Sequence, residues 1–166
     1  MSKLARKAYA TYIDASFTDN TGDSWAPSWF LIGKDIEEMS VELNPDTETV
    51  KNILGETSVK DNGYEPSMSA DPYYANPKDS IYAKLKSIAM ERLVDDDCKT
   101  TILEVIIDPD DSGSHEAYIE DVVVKPQSYG GDTSGFAIPF DVLFDGNRQK
   151  GTATITNKVP TFTPAS

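Results

Sequence analysis

The chain has very little of what catalysis, redox exchange and membrane insertion require. Its 166 residues include one cysteine, Cys98, and one histidine, His115. A single cysteine excludes an internal disulfide and fits a reducing compartment. Cys98 has no second thiol for redox exchange and only His115 as a possible activator. No apolar run approaches the roughly 20 residues that span a bilayer. Lys3, Arg6 and Lys7 open the chain, but the stretch after them is short and broken by Asp14, which makes a poor signal peptide. Basic residues are scarce, 15 against 28 acids, and the net charge of −13 argues against a protein that grips the phosphate backbone. What is present suits one mainly β domain. The apolar share is 39%, and a chain of this length buries roughly 70% of its unfolded surface.

The charge is unevenly placed. Residues 1–13 carry three basic residues and no acid, and residues 146–166 carry Arg148, Lys150 and Lys158 and again no acid. From Glu91 to Asp121 eleven acids face Arg92 and Lys99, a net of −9. A plain reading is a solvated acidic face with ordinary polar ends. A sharper one is that basic ends and an acidic middle favour head-to-tail contact between copies.

Along the chain, residues 1–28 read as a weakly ordered arm, with a turn-rich stretch at 19–23 and a break at Pro27. Trp25 and Trp29 flank that break, either lidding the core or anchoring the arm on a neighbouring subunit. Short strands are expected at 29–32 and 39–43. Residues 44–80 form a long loop region, with a possible strand over 50–59 bent at Gly55. Asp61-Asn62-Gly63 is a turn signal, after which 64–69 pairs back. A proline-punctuated loop over 71–77 holds Tyr73 and Tyr74 and either packs on the body or serves contact. One helix is expected over 77–93, with Asn76 as N-cap, Pro77 at the first position, and Ile81, Leu85, Ile88 and Ala89 on a buried stripe. Asp95, Asp96 and Asp97 follow it directly.

Strands are then expected over 100–107 and 117–125, joined as a hairpin through the turn at 108–113. The segment 121–156 alternates strand-forming runs with glycine-bearing turns. It holds a glycine-rich loop at 128–135, a strand over 136–144 with Pro139 at an edge or bulge, a hairpin turn at Asp145-Gly146 and a return strand over 149–156. Residues 157–166, with Pro160 and Pro164, read as an extended tail.

None of the chemical patterns is complete. Asp108, Asp110, Ser112 and Gly113 match the opening of a calcium loop, but the twelfth position is Ile119 and the flanks are strands. Gly130-Gly131 with Gly135 lacks the Lys-Ser/Thr of a phosphate loop. His115 beside a turn suits a solvated or hydrogen-bonded histidine better than a base. Carboxylate pairs carry no information in so acidic a chain. No cofactor, metal site or catalytic residue is therefore expected.

Three runs carry a family resemblance: IGKDIEEM at 32–39, NILGETSVKDNGYEP at 52–66 and KPQSYGGDTSG at 125–135. They resemble the major tail tube proteins of long, non-contractile-tailed bacteriophages of Gram-positive hosts, over about residues 29–154. The resemblance implies a mainly β body, a β-sandwich or barrel-like pair of packed antiparallel sheets with one flanking α-helix. The arms at 1–28 and 157–166 would extend from a 29–156 body. It also implies a virion component made in the host cytoplasm. Copies of the chain would form stacked rings, usually hexameric, around a hollow conduit for DNA. Tail-tip, tape-measure and terminator proteins would be partners, with no membrane involved.

On that reading, Asp95, Asp96, Asp97, Asp108, Asp110 and Asp111 are candidate lumen or acidic-surface residues that would repel passing DNA. Trp25, Trp29, Tyr73, Tyr74, Lys125, Gln127 and Tyr129 are candidate inter-subunit contacts. Sheet edges would close a ring, and the 44–80 region and both tails would join rings axially. A competing reading is a monomeric carbohydrate- or partner-binding β module using Trp25, Trp29, Tyr73 and Tyr74 as a platform. A third is a small hydrolase using Asp and Glu.

Overall fold

A computed structural model describes residues 3–22, 24–33, 36–110 and 113–165. Among the described residues there are twelve strands and one α-helix. They are β1 (Tyr9–Asp14), β2 (Trp29–Leu31), β3 (Val41–Glu42), β4 (Pro45–Lys51), β5 (Thr57–Tyr64), β6 (Ser67–Ala70), α1 (Tyr82–Glu91), β7 (Lys99–Ile106), β8 (His115–Pro126), β9 (Gly130–Asp132), β10 (Gly135–Ala137), β11 (Phe140–Thr156) and β12 (Val159–Pro164). The fold is mainly β, antiparallel throughout, with sandwich-like packing and one flanking helix, as expected.

The main sheet runs β2-β1-β7-β8-β11-β6-β3, and β12 also pairs with β11. Two long strands organise it. β8 lies beside β11 over nearly its whole length, while the far side of β11 takes β6 near its start and β12 near its end. Neighbouring residues of a strand face opposite sides, and β1 shows the consequence. Ile13 belongs to a core with Ile102, Val122, Val142, Leu85 of the helix and Ile81 just before it. Tyr12 belongs to a second core with Leu103, Val105, Ile119 and Ala153, covered by Trp25, Trp29 and Phe162. Apolar cover on both faces is what makes a single strand such as β7 read as a continuous run of β-branched residues.

Several sequence expectations are corrected. Within the arm expected over 1–28, Tyr9–Asp14 is not weakly ordered: it is β1, largely buried between β2 and β7. Its apolar alternation is too short to stand out beside the arm's polar turns. Asp61-Asn62-Gly63 is not a turn but part of β5, and 64–69 does not pair back on it; β6 joins β11 and β3 instead. The turn falls at 52–56. There Asn52 Oδ1 accepts from the backbone N–H of Leu54 and Glu56, and Gly55 takes a φ of 81°. The side chain thus closes the turn locally.

The helix begins at Tyr82, not 77. Asn76 is spent in a preceding turn, its Oδ1 accepting from Lys78 N and its carbonyl from Asp79 N. The helix is capped by Arg92 in the left-handed region, and of the expected stripe Ile81, Leu85 and Ile88 are buried and Ala89 is half-buried.

Asp145-Gly146 does not turn the chain. Both halves of β11 pair with β8, so residues 144–149 are absorbed as a bulge, with Gly146 at φ 99°. The glycine-rich loop is a small β9–β10 hairpin. The C-terminal tail folds back as β12 through Asn157 and Lys158, both at positive φ.

Candidate assembly surface

β4 and β5 pair only with each other among the described residues, and nearly every residue of the two strands is exposed. Strand pairing joins Lys51 to Thr57 next to the turn and Pro45 to Tyr64 at the base. A lone two-stranded hairpin is marginal in water, yet this one carries apolar side chains outward. Val50, Val59 and Tyr64 are exposed, Leu54 is 76% exposed, and Ile53 at the tip is fully exposed. The Lys60–Glu48 ion pair across it is at the surface and contributes little.

The hairpin's root borders an open cleft of about 570 Å³. Val41, Leu43, Pro66 and Phe144 supply apolar walls and Arg6 stands among the lining groups. Arg6 gives its N–H groups to the carbonyls of Tyr9 and Met39, and no carboxylate pairs with it among the described residues.

Also lining the cleft is an ion cluster that sequence reasoning missed. Arg148 Nη1 donates to Glu104 Oε1 at 2.6 Å and to Glu120 Oε1 at 3.0 Å. Tyr9 Oη donates to Glu104 Oε2 at 2.5 Å, and Gly146 N donates to Glu120 Oε2 at 3.1 Å. Both glutamates are buried. Burial pushes the Tyr9 hydroxyl well above its ordinary range, with the Glu104 charge adding to it. Burial works against the Arg148 charge, but the two glutamates outweigh it and raise its pKa. The Arg148 guanidinium also lies over the Tyr118 ring, 4.5 Å from its centroid. A signal existed: Glu104 is two residues from Ile102 in a β run, so it faces the same inward side and requires a cation.

The acidic candidates divide between the ends of β7. Asp95, Asp96 and Asp97 form a 3-10 turn before it, where Asp96 pairs with Lys99 at 3.2 Å. That pairing raises the Lys99 pKa. Asp108 and Asp110 follow the other end of β7, with Asp108 Oδ1 accepting from Asp110 N. Asp111 lies outside the described residues, as does Ser112. About 25 Å of strand separates the two clusters.

The aromatic candidates do not form one platform. Trp25 and Trp29 meet edge to face at 5.7 Å over the second core, and Trp25 Nε1 donates to Asp14 Oδ2 at 3.1 Å. Tyr73 is 6% exposed, in the first core, between Phe30 and Phe140, with its hydroxyl on Asp79. Its side chain is turned into this chain, not outward. Tyr74 bridges to Ala137 and is half-buried. Lys125 Nζ reaches the Leu93 carbonyl at 3.2 Å. Gln127 is exposed and Tyr129 is 47% exposed.

The residues weighed for chemistry are used structurally. His115 is buried, and its Nδ1 accepts from Asp108 N at 3.2 Å. Cys98 is buried beneath Lys125. Among the described residues no three His, Cys, Asp or Glu side chains gather as a metal site, and no helix is long and apolar enough to cross a membrane.

The fold thus defines the chain as a mainly β, sandwich-like domain with a free-standing hairpin. No family model matches it, and no curated protein matches it. Among solved structures, the cap of an anti-feeding prophage, described as a tube-terminating cap, is similar at a TM-score of 0.48 and 14% identity. The match covers 92% of this chain and 93% of that one. Nothing about this chain's role follows from so slight a likeness.

Proposed function

We propose that this chain is a non-enzymatic structural subunit of a phage tail tube, as its sequence resemblance implies. In this reading its copies self-assemble into stacked rings, hexameric in the family it resembles. The observation that carries the reading is the β4–β5 hairpin, which exposes Val50, Ile53, Leu54 and Val59 with no cover from the described residues. Exposed apolar surface of that kind marks an interaction site. The outer strands of the main sheet, β2, β3 and β12, are open edges on which neighbours in a ring extend the sheet. The hairpin and the chain ends make the axial contacts.

No bond-making chemistry is involved, and the function is to wall a conduit. The acids at the two ends of β7 face the lumen, where carboxylates repel phosphates and the duplex slides without adhering. Gln127 and Tyr129 lie in subunit contacts. Tail-tip, tape-measure and terminator proteins are the further partners of such a tube, and the assembled protein belongs to the virion. The carbohydrate-platform alternative has no support from the aromatic residues, because Tyr73 and the two tryptophans pack into different cores.

Sedimentation velocity across a concentration series, with negative-stain electron microscopy, tests the reading. Concentration-dependent growth into rings or tubes is expected. A strict monomer at every concentration overturns it.

A further inference from the structure

Asn62 is the one asparagine of this chain that precedes a glycine. The pair makes no turn; it sits where the β4–β5 ladder is interrupted. Thr47 pairs with Asp61 and Pro45 with Tyr64, so Asp46 alone stands opposite both Asn62 and Gly63. Gly63 takes a φ of 95° and has open space where a Cβ would stand. Its backbone N–H donates to Asp61 Oδ1 at 2.9 Å. Asn62 is exposed, and its amide has no hydrogen-bond partner among the described residues. The other asparagines differ. Asn44 and Asn76 precede proline, which has no N–H. Asn20, Asn52 and Asn147 have their amides in hydrogen bonds. Asn157 precedes Lys158, whose side chain crowds the backbone nitrogen.

We propose that Asn62-Gly63 is a self-modification site, at which the chain converts its own asparagine to aspartate and isoaspartate. The Gly63 nitrogen attacks Asn62 Cγ while Asp61, already within hydrogen-bond reach, accepts its proton. A Cγ–N bond forms, the Cγ–Nδ2 bond breaks, and Nδ2 leaves with that proton as ammonia. Water then opens the cyclic imide. Cleavage of the new Cγ–N bond leaves aspartate. Cleavage of the original backbone C–N bond leaves isoaspartate, with the chain running through the side chain. Water is the only co-reactant, and nothing is oxidised or reduced.

The product alters the hairpin. Residues 45–64 hold Asp46, Glu48, Glu56 and Asp61 against Lys51 and Lys60, a net of −2, and the reaction adds one negative charge. The new carboxylate stands across from Asp46, and like charges facing each other across a strand pair are destabilising. Isoaspartate also inserts a methylene into the backbone where the register already shifts. A two-stranded ribbon has little stability to lose, so the base of the hairpin loosens while the main sheet stays as it is. Each copy reacts alone and at its own rate, so the modified fraction records the age of the chain, whatever the chain assembles with.

Peptide mapping by mass spectrometry tests it. The purified chain is held in warm, mildly alkaline buffer made with heavy-oxygen water, beside a synthetic peptide of residues 57–68. Cleavage after lysine yields a fragment, 61–78, that carries Asn62 and Asn76 together. A mass gain confined to Asn62 is expected, resolved as two products that each hold one heavy oxygen, with Asn76 unchanged. Reaction more than about tenfold slower in the folded chain than in the peptide would mean that the fold shields Asn62, and overturns the site. Asp61→Ser keeps a hydrogen-bond acceptor but no base. It should slow the folded chain more than it slows the peptide carrying the same change, and equal slowing overturns the role of Asp61. Asn62→Asp supplies the charge of the product directly. Short-pulse hydrogen exchange is expected to rise about two- to fivefold over 45–64 and to stay level over β7 and β8. Unchanged exchange across the hairpin overturns the loosening.

Discussion

Arg148 reaches Glu104 across the sheet at 2.6 Å and holds Glu120 with the same nitrogen. All four carboxylate oxygens of the two glutamates thereby have donors, two from Arg148, one from Tyr9 and one from the Gly146 backbone. Arg148 itself lies in the stretch of β11 where the register shifts, so the cluster pins the bulge to β8. Removing the guanidinium leaves two buried carboxylates unpaired. Arg148→Met is expected to destabilise the fold by about 3 kcal/mol, read as a fall in the urea midpoint. Adding Glu104→Gln and Glu120→Gln to that variant should recover much of the loss. No recovery would place the effect in packing on Tyr118 instead.

High pH should weaken the fold through two tyrosines. Burial, with Glu104 adding to it, raises the Tyr9 pKa, and burial, with the Asp79 hydrogen bond, raises that of Tyr73. Both keep their protons in the folded chain at pH values where unfolded tyrosines, ordinarily at 10.0, have lost them. The unfolded state then binds fewer protons. Stability is fully present below about pH 10 and falls as pH rises beyond it. Unfolding midpoints measured from pH 8 to 11 should show that decline, and Tyr9→Phe should make it shallower.

Asp14 ties the tryptophan segment to the sheet. Its buried carboxylate accepts from Ser16 N, Ser16 Oγ, Ser28 N and Trp25 Nε1. Asp14→Ala leaves these donors unmatched. A loss of about 2–4 kcal/mol is expected, with a red shift in tryptophan emission as Trp25 is released. Unshifted emission would mean that packing against Trp29 alone holds the indole.

Gly151 is required where β12 crosses β11. A Cβ there would overlap the Thr163 carbonyl oxygen and lie 2.7 Å from Phe162 Cζ. Gly151→Ala is expected to cost about 1–3 kcal/mol, seen as a lower melting temperature. Pairing it with Phe162→Leu should return little of that stability, because the Thr163 carbonyl still blocks the Cβ.

Deleting 157–166 removes a strand, not a loose tail. β12 pairs with β11 from Val159 to Pro164, Pro160 is buried, and Phe162 covers the second core. The truncated chain should be less stable by about 2–4 kcal/mol, so its assembly alone says nothing about contacts. Val159→Asp, at an exposed position of that strand, is the cleaner probe. It should leave the melting temperature almost unchanged and weaken assembly if β12 is a ring edge.

The sequence was most legible where apolar periodicity met a local signal. The buried stripe of α1 and the β7–β8 pair follow from such patterns. It misled where a local turn signal competed with long-range pairing. Asp145-Gly146 has turn chemistry, but β8 is long enough to pair with both flanks, and the tertiary ladder won. Asp61-Asn62-Gly63 likewise lost to Asn52, whose side chain closes a nearer turn. The ion cluster was hidden for another reason: Tyr9, Glu104, Glu120 and Arg148 are scattered along the chain and meet only when β1, β7, β8 and β11 align. Of the aromatic candidates, Tyr73 could not be told from its neighbour Tyr74 until the loop was seen turning one inward.

The long overlap of β8 with β11 has a mechanical consequence. Tension applied along those strands loads their hydrogen bonds in shear, so many must break together. The β4–β5 ribbon, attached only at its root, is loaded as a zipper and opens one rung at a time. A pull on the hairpin tip therefore meets a compliant element in series with a stiff one, and a neighbour holding that tip would be coupled to the body through a spring.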